Sequence, residues 1–201
     1  MRGFSEFRGG SSARDACRLG VFGFLGTEPL TAGLGTDFFV RASPIEMPDL
    51  LANGTVDAAM VEAIDLLTLP PEFTVLQAGA WAMRRSSLSI RLFARCHPEQ
   101  VECVYVDDNS HQAAALVRIL WALDYGRELQ LIPFAPEYGD PPFEAHAAVI
   151  LGDRPVATPP ICFDYQIDLV ARWHRHTGLP LPWAFWVAYD PSANGTLTRR
   201  L

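Results

Sequence analysis

The chain has 201 residues, 49% of them hydrophobic and 19% charged, enough to bury one large core or two smaller ones and too apolar for extended disorder. Sixteen Lys and Arg face 23 Asp and Glu, a formal charge of −7 with no long basic run, which disfavours nucleic acid and membrane surfaces as partners. An anionic ligand stays open, because the N–H groups at a helix start bind anions locally whatever the net charge.

Residues 1–17, rich in Ser, Gly and Arg, are expected as a loose tail. Leu19–Leu25 reads as a strand, and Glu28-Pro29 opens a short helix with proline in its first turn. Asp37–Ala42 is a second strand, broken by Ser43-Pro44. Pro48–Ala52 is a helix that stops at Asn53-Gly54. Val56–Val61 is a buried strand, and Ile64–Leu67 a helical turn before Pro70-Pro71. Thr74–Ala80 and Leu88–Arg95 are strands. After His97-Pro98 come a strand, Val101–Val106, and a turn-and-cap cluster, Asp107-Asp108-Asn109-Ser110. Gln112–Leu123 is then a helix with one apolar face. Leu129–Pro133 and Ala147–Leu151 are strands on either side of an irregular loop at 136–142. Asp168–Thr177 is a helix stopped by Gly178 and Pro180. Trp183–Tyr189 is the last strand, followed by a polar tail.

This alternation predicts an α/β fold with largely parallel strands. A second strand–turn–helix start at Val101 predicts a second lobe. With the last strand returning to the first, the lobes are 18–95 plus 183–201, and 98–180. The chain crosses between them near 94–100 and 179–184, leaving an interlobe cleft.

No run approaches the roughly 18 apolar residues of a membrane span, and the N-terminus has no apolar stretch of signal-peptide length. Cys17, Cys96, Cys103 and Cys162 show no C-x-x-C spacing. A cytoplasmic protein with free thiols and no metal is expected, buried or surface cysteines outweighing the alternative of a zinc site from Cys96, His97 and Cys103.

Four segments are candidates for ligand contact. Gly26-Thr27 follows the first strand, where open α/β sheets place ligands, and Gly26 lets a ligand approach the backbone. Gly20, Gly23 and Gly26 do not make a dinucleotide fingerprint. Asp107–Gln112 joins a strand to a helix, so its free N–H groups can take a carboxylate, with Ser110 or His111 adding hydrogen bonds. The alternative there is an ordinary N-cap by Asn109 or Ser110. Ser86, Ser87 and Ser89 beside Arg84 and Arg85 suit a carboxylate, or form a solvated loop. Gly152-Asp153 ends a strand, so Asp153 either binds a ligand hydroxyl or caps the next turn. The residues alone support a ligand cleft, not a reaction.

The segments also carry a resemblance. Phe24-Leu25-Gly26-Thr27-Glu28-Pro29-Leu30 resembles the opening Y-L-N-x-x-P-L of the chorismate dehydratases of the futalosine route to menaquinone. Leu51, Gly54, Asp57 and Ala59 match that family's L-x-x-G-x-x-D-x-A. Ser110, Leu116 and Leu120 match S-R-T-S-x-x-L-x-x-x-L, and Leu151-Gly152-Asp153 matches I-G-D. Asp168-Leu169, Trp173, Thr177-Gly178-Leu179-Pro180 and Phe185-Trp186-Val187-Ala188 match the closing pattern. The likeness runs from about Arg18 to Ala188. It departs in the cleft, where the family's loop asparagine falls at Gly26 and only Ser89 matches at Arg84–Ser89.

The resemblance implies a two-lobed periplasmic-binding-protein-like (type II) fold. It implies a lyase that removes water from chorismate to give 3-[(1-carboxyvinyl)oxy]benzoate, without metal or organic cofactor. The alternative is a non-catalytic protein of that fold binding a small carboxylate. Substrate contacts are expected from Gly26, Ser87, Ser89, Ser110, Gln112, Gly152 and Asp153, with Thr27 and His111 in catalytic roles. On this reading Gly26→Asn is expected to raise activity. Relatives usually continue into C-terminal helices, so a homodimer through the face those helices would cover is a further expectation.

Overall fold

The computed structural model describes residues 17–33, 35–135 and 139–189. The expected tails, residues 1–16 and 190–201, lie outside them, as do residues 136–138 of the irregular loop.

Two five-stranded mixed sheets form the two lobes. The first sheet is built from β1 (Leu19–Phe22), β2 (Phe39–Ala42), β3 (Ala58–Glu62), β4 (Thr74–Met83) and β10 (Leu181–Ala188), in the order β2-β1-β3-β10-β4. The second contains β5 (Ile90–Ala94), β6 (Cys103–Asp107), β7 (Gln130–Phe134), β8 (Ala147–Leu151) and β9 (Tyr165–Asp168), in the order β7-β6-β8-β5-β9. β1 pairs parallel with β2 and β3, while β10 runs antiparallel to β3 and β4. β6 pairs parallel with β7 and β8, while β5 runs antiparallel to β8 and β9.

The central strands β1, β3 and β8 are buried at every position. Covered on both faces, they read as continuous apolar runs rather than alternating ones. The short helix α2 (Met47–Ala52) packs on β1 and β3. A Cβ at Gly20 would stand 2.9 Å from both Ala59 Cβ and Met47 Sδ, so that contact is as close as a glycine permits.

In the second lobe the long helix α3 (His111–Tyr125) begins at the Ser110 cap, whose hydroxyl accepts the Ala113 N–H at 3.1 Å. It ends at Gly126, which takes the left-handed conformation (φ 65°) that closes helices at little cost only for glycine. Trp121, Leu116 and Leu120 of its inner face are buried. Helix α5 (Leu169–Thr177) starts at Asp168, whose carboxylate accepts the Ala171 N–H at 2.9 Å. Asp124 of α3 joins the two helices by pairing with Arg172 and, at 2.7 Å, with His176.

The topology moves one boundary. Ile90–Ala94, expected in the first lobe, is a central strand of the second sheet, paired on both edges. The chain therefore crosses at residues 84–89, not 94–100. The reason is compositional: Arg84–Ser89 is polar and free to bridge, whereas every residue of β5 except Arg91 is buried. Among the described residues no helix is long and apolar enough to cross a membrane.

Candidate ligand cleft

Loops from both lobes meet at one small cavity of about 40 Å³. The first lobe supplies Phe24 and Gly26 after β1, Trp81 and Met83 at the end of β4, and Trp183 of β10. The second supplies Ser89 and Ile90 at the start of β5, and Leu151, Gly152 and Asp153 at the end of β8. Four residues singled out in the sequence, Gly26, Ser89, Gly152 and Asp153, thus share one cavity although they come from three distant segments.

The walls are aromatic. Phe22, buried beneath, lies 6.1 Å from Phe24 and 6.0 Å from Trp81, ring centre to ring centre. The Trp81 ring fills the space where a side chain on residue 26 would stand, since a Cβ there would be 2.9 Å from Cζ2. Across the cleft Phe24 lies on Gly152, where a Cβ would be 2.7 Å from the ring. Gly152 has φ +71°, so backbone and space both require glycine there. Asp153 closes the mouth: its two carboxylate oxygens accept the Leu25 N–H at 3.1 and 3.0 Å, tying lobe to lobe.

Ser87 stands one hydrogen bond behind the cavity. Its hydroxyl is 2.8 Å from that of Ser89, and its N–H donates to Asp168 at 2.9 Å. Thr27 is fully buried, and its hydroxyl donates to the Phe22 and Phe24 carbonyls at 2.8 and 2.7 Å. It holds the loop's shape and does not line the cavity.

Ser110, His111 and Gln112 also lie away from it, in a second interlobe contact. There the buried carboxyl of Glu62, the last residue of β3, accepts the Ser110 hydroxyl and the Gln112 N–H, the latter at 2.9 Å. The Gln112 side chain accepts the Ile64 N–H at 2.9 Å and donates to the Pro182 carbonyl at 3.3 Å, so it is engaged with the first lobe. His111 Nδ1 pairs at 2.8 Å with Asp65, whose carboxyl is largely buried while the imidazole is half in solvent. Burial pushes the Glu62 carboxyl up to about 7, against the pull of the Ser110 and Gln112 hydrogen bonds. Sequence reasoning missed Glu62. Its signal is a lone acidic residue closing an otherwise apolar strand, A-A-M-V-E.

A family model described as menaquinone biosynthesis (VitK2_biosynth) matches residues 17–200. No curated protein matches the sequence. Among solved structures, protein AF1704 from Archaeoglobus fulgidus superposes with a TM-score of 0.62 at 12% identity, covering 90% of this chain and 72% of that one. The periplasmic aliphatic sulphonate binding protein SsuA from Escherichia coli gives 0.58 at 16% identity, covering 92% and 69%. The Candida albicans CA3427 gene product, described as having the generic periplasmic binding protein fold, gives 0.59 at 12% identity, covering 92% and 67%. These identities establish the fold alone: two α/β lobes of the periplasmic-binding-protein type. By the extent of the family match, the chain belongs to the menaquinone biosynthesis family.

Proposed function

We propose that the protein is a chorismate dehydratase-like lyase acting in menaquinone biosynthesis from the interlobe cleft. The observation that carries this reading is the convergence of the Gly26 loop, Ser89 and Gly152-Asp153 on one aromatic-walled cavity. Trp81, Trp183 and Phe24 offer flat apolar surfaces to a six-membered ring, and the Ser89 hydroxyl and loop N–H groups offer donors to its carboxylate. Ligand sites commonly hold roughly 300 Å³ or more. At about 40 Å³ the cavity is that of the closed protein, and substrate enters as the lobes part and Trp81 and Phe24 turn aside.

The reaction removes the C3 proton and the C4 hydroxyl, and the new aromatic ring supplies the driving force. The protein's part is to hold the ring, exclude bulk water, and accept the C3 proton and pass it to the departing C4 oxygen, so that one water leaves. Thr27 and His111 are turned to other partners, so the proton falls to Asp153, the ionisable side chain on the cavity wall. Asp153→Asn keeps an acceptor for the Leu25 N–H but removes the base. It should lower kcat by about a hundredfold or more. The assay is ultraviolet absorbance of the aromatic product from chorismate, read against the spontaneous background. Wild-type turnover no faster than background would end the dehydratase reading.

A second reading, non-catalytic binding of a small carboxylate, is favoured by the Trp81 ring against Gly26. In that case cyclic carboxylates raise the melting temperature without turnover, and Asp153→Asn changes affinity alone. Saturation at about 100 times Kd would add roughly 2.7 kcal/mol.

A further inference from the structure

Away from the cavity, the lobes meet at an ionisable group. Glu62 closes β3 of the first lobe and is fully buried. Both donors to its carboxyl belong to the second lobe: the Ser110 hydroxyl on one oxygen and the Gln112 N–H on the other. Within its own lobe β10 sets only Ala184 beside it, and β1 pairs with β3 no further than Ala59. The start of α3 is therefore what seals Glu62 from water, and parting the lobes returns the carboxyl to it.

A charge on this carboxyl is poorly provided for. Asp65, on the turn after β3, opposes one, and its own Oδ2 is buried with no hydrogen-bond partner among the described residues. His111, on α3, favours one, but its imidazole is half in solvent and paired with Asp65. No lysine or arginine is among the groups that act on Glu62. The other bridges carry no such conflict. Asp153 meets the Leu25 N–H in an exposed contact, and the Ile45–Asn109 and Gln112 bridges use backbone and amide groups, which do not titrate.

We propose that Glu62 is a proton-operated latch between the lobes, which close over it when it is neutral and are released when it ionises. The device is set by the fold and does not depend on what the cleft binds or on whether it is catalytic. A cavity of about 40 Å³ must widen to take a ring-sized ligand. Ionised Glu62 therefore favours entry and release, and neutral Glu62 favours retention.

The direction follows from where the proton is held more tightly. Under α3 the carboxyl is raised to about 7, chiefly by burial, and facing water it returns to about 4.5. Closure between these values takes up a proton, so it is favoured at low pH and weakens as pH rises through 7. The closing equilibrium changes by at most about tenfold per pH unit inside that window and levels off outside it.

The test is amide hydrogen exchange on the full chain without ligand, from pH 5 to 8, corrected for the intrinsic pH dependence of exchange. The Leu25, Ile45 and Ile64 N–H groups report opening, because their acceptors lie in the other lobe. Val61 and Val149, inside the two sheets, report unfolding of a lobe. In wild type the bridging amides should be less protected than the interior ones at every pH, and should lose about tenfold or more of their protection between pH 5 and 7. Glu62→Gln copies the neutral form, since its amide can accept from Gln112 and donate to Ser110. It should hold the protection of the bridging amides within about twofold across the range. Bridging amides as protected as the interiors would show that the lobes part only on unfolding, and would overturn the latch. So would a level wild-type profile, or a fall that persists in Glu62→Gln. Should Glu62→Gln not fold, His111→Asn decides. The latch requires the same fall there, moved to higher pH because the pull of His111 is gone. A level profile in His111→Asn would assign the proton to the imidazole instead and overturn the proposal.

Discussion

Residue 26 is where sequence and structure argue most directly with each other. From the sequence, a glycine in place of the family's loop asparagine looks like a missing hydrogen bond that Gly26→Asn would restore. The structure puts the Trp81 ring in that place, 2.9 Å from where a Cβ would be. Gly26 is not among the positive-φ residues, so the obstacle is the tryptophan and not the backbone. Gly26→Asn alone should therefore destabilise by about 1–3 kcal/mol through overpacking. Combined with Trp81→Ala, which opens the space, the asparagine should be accommodated. The two changes should then be non-additive in unfolding free energy by more than about 0.5 kcal/mol. On the dehydratase reading, only the double variant gains turnover. Additive losses in a thermal melt would show that ring and loop do not compete.

At the scale of elements, the legible parts are those whose signal is local. The cap cluster ending at Ser110 and the apolar face that follows place α3 within two residues at either end. Asp168 and Gly178 bracket α5 in the same way. Strand β9, Tyr165–Asp168, was not legible, because two of its four residues are exposed and its pairing partner β5 lies seventy residues upstream. The crossing at 84–89 was misplaced because His97-Pro98 punctuates the chain more strongly than the polar Arg84–Ser89, yet makes only a short 3-10 turn. The candidate site divides along the same line. Gly26, Ser89 and Gly152-Asp153 were legible as turn residues at strand ends. The roles of Thr27, Ser110 and Gln112 depend on partners about five to seventy residues away that no local pattern announces. Ser110 shows the consequence, since it both caps α3 and donates to Glu62. Ser110→Ala should cost about 1 kcal/mol for the cap and about 1–3 kcal/mol more for the buried acceptor it strands. Urea denaturation should therefore find a larger loss than an N-cap alone explains.

The whole molecule is two sheets joined by two strips of chain and a few polar contacts. Asp153 to the Leu25 N–H, Gln112 to Ile64 and Pro182, and the Ile45 N–H to the Asn109 carbonyl all bridge the lobes. Glu62 also bridges the lobes, through the Ser110 hydroxyl and the Gln112 N–H, and burial pushes its carboxyl up to about 7 from 4.5. A carboxyl raised in the folded state binds its proton more tightly there than in the unfolded chain. Its burial is therefore least costly below pH 4.5, and stability is lost as pH rises through 7. The full swing is roughly 3 kcal/mol for a shift of this size. Glu46, lowered by its hydrogen bonds to Ser43, has the opposite sign, and its contribution falls away only on the acid side of 4.5, outside this window. Glu62→Gln keeps the shape of the side chain and cannot ionise, so subtracting its stability curve from that of wild type isolates this one group. The difference should grow steadily from pH 4.5 to 7.5 in the variant's favour and level off above. A difference that stays flat across that range would mean that water reaches Glu62 and that the lobes are already parted in solution.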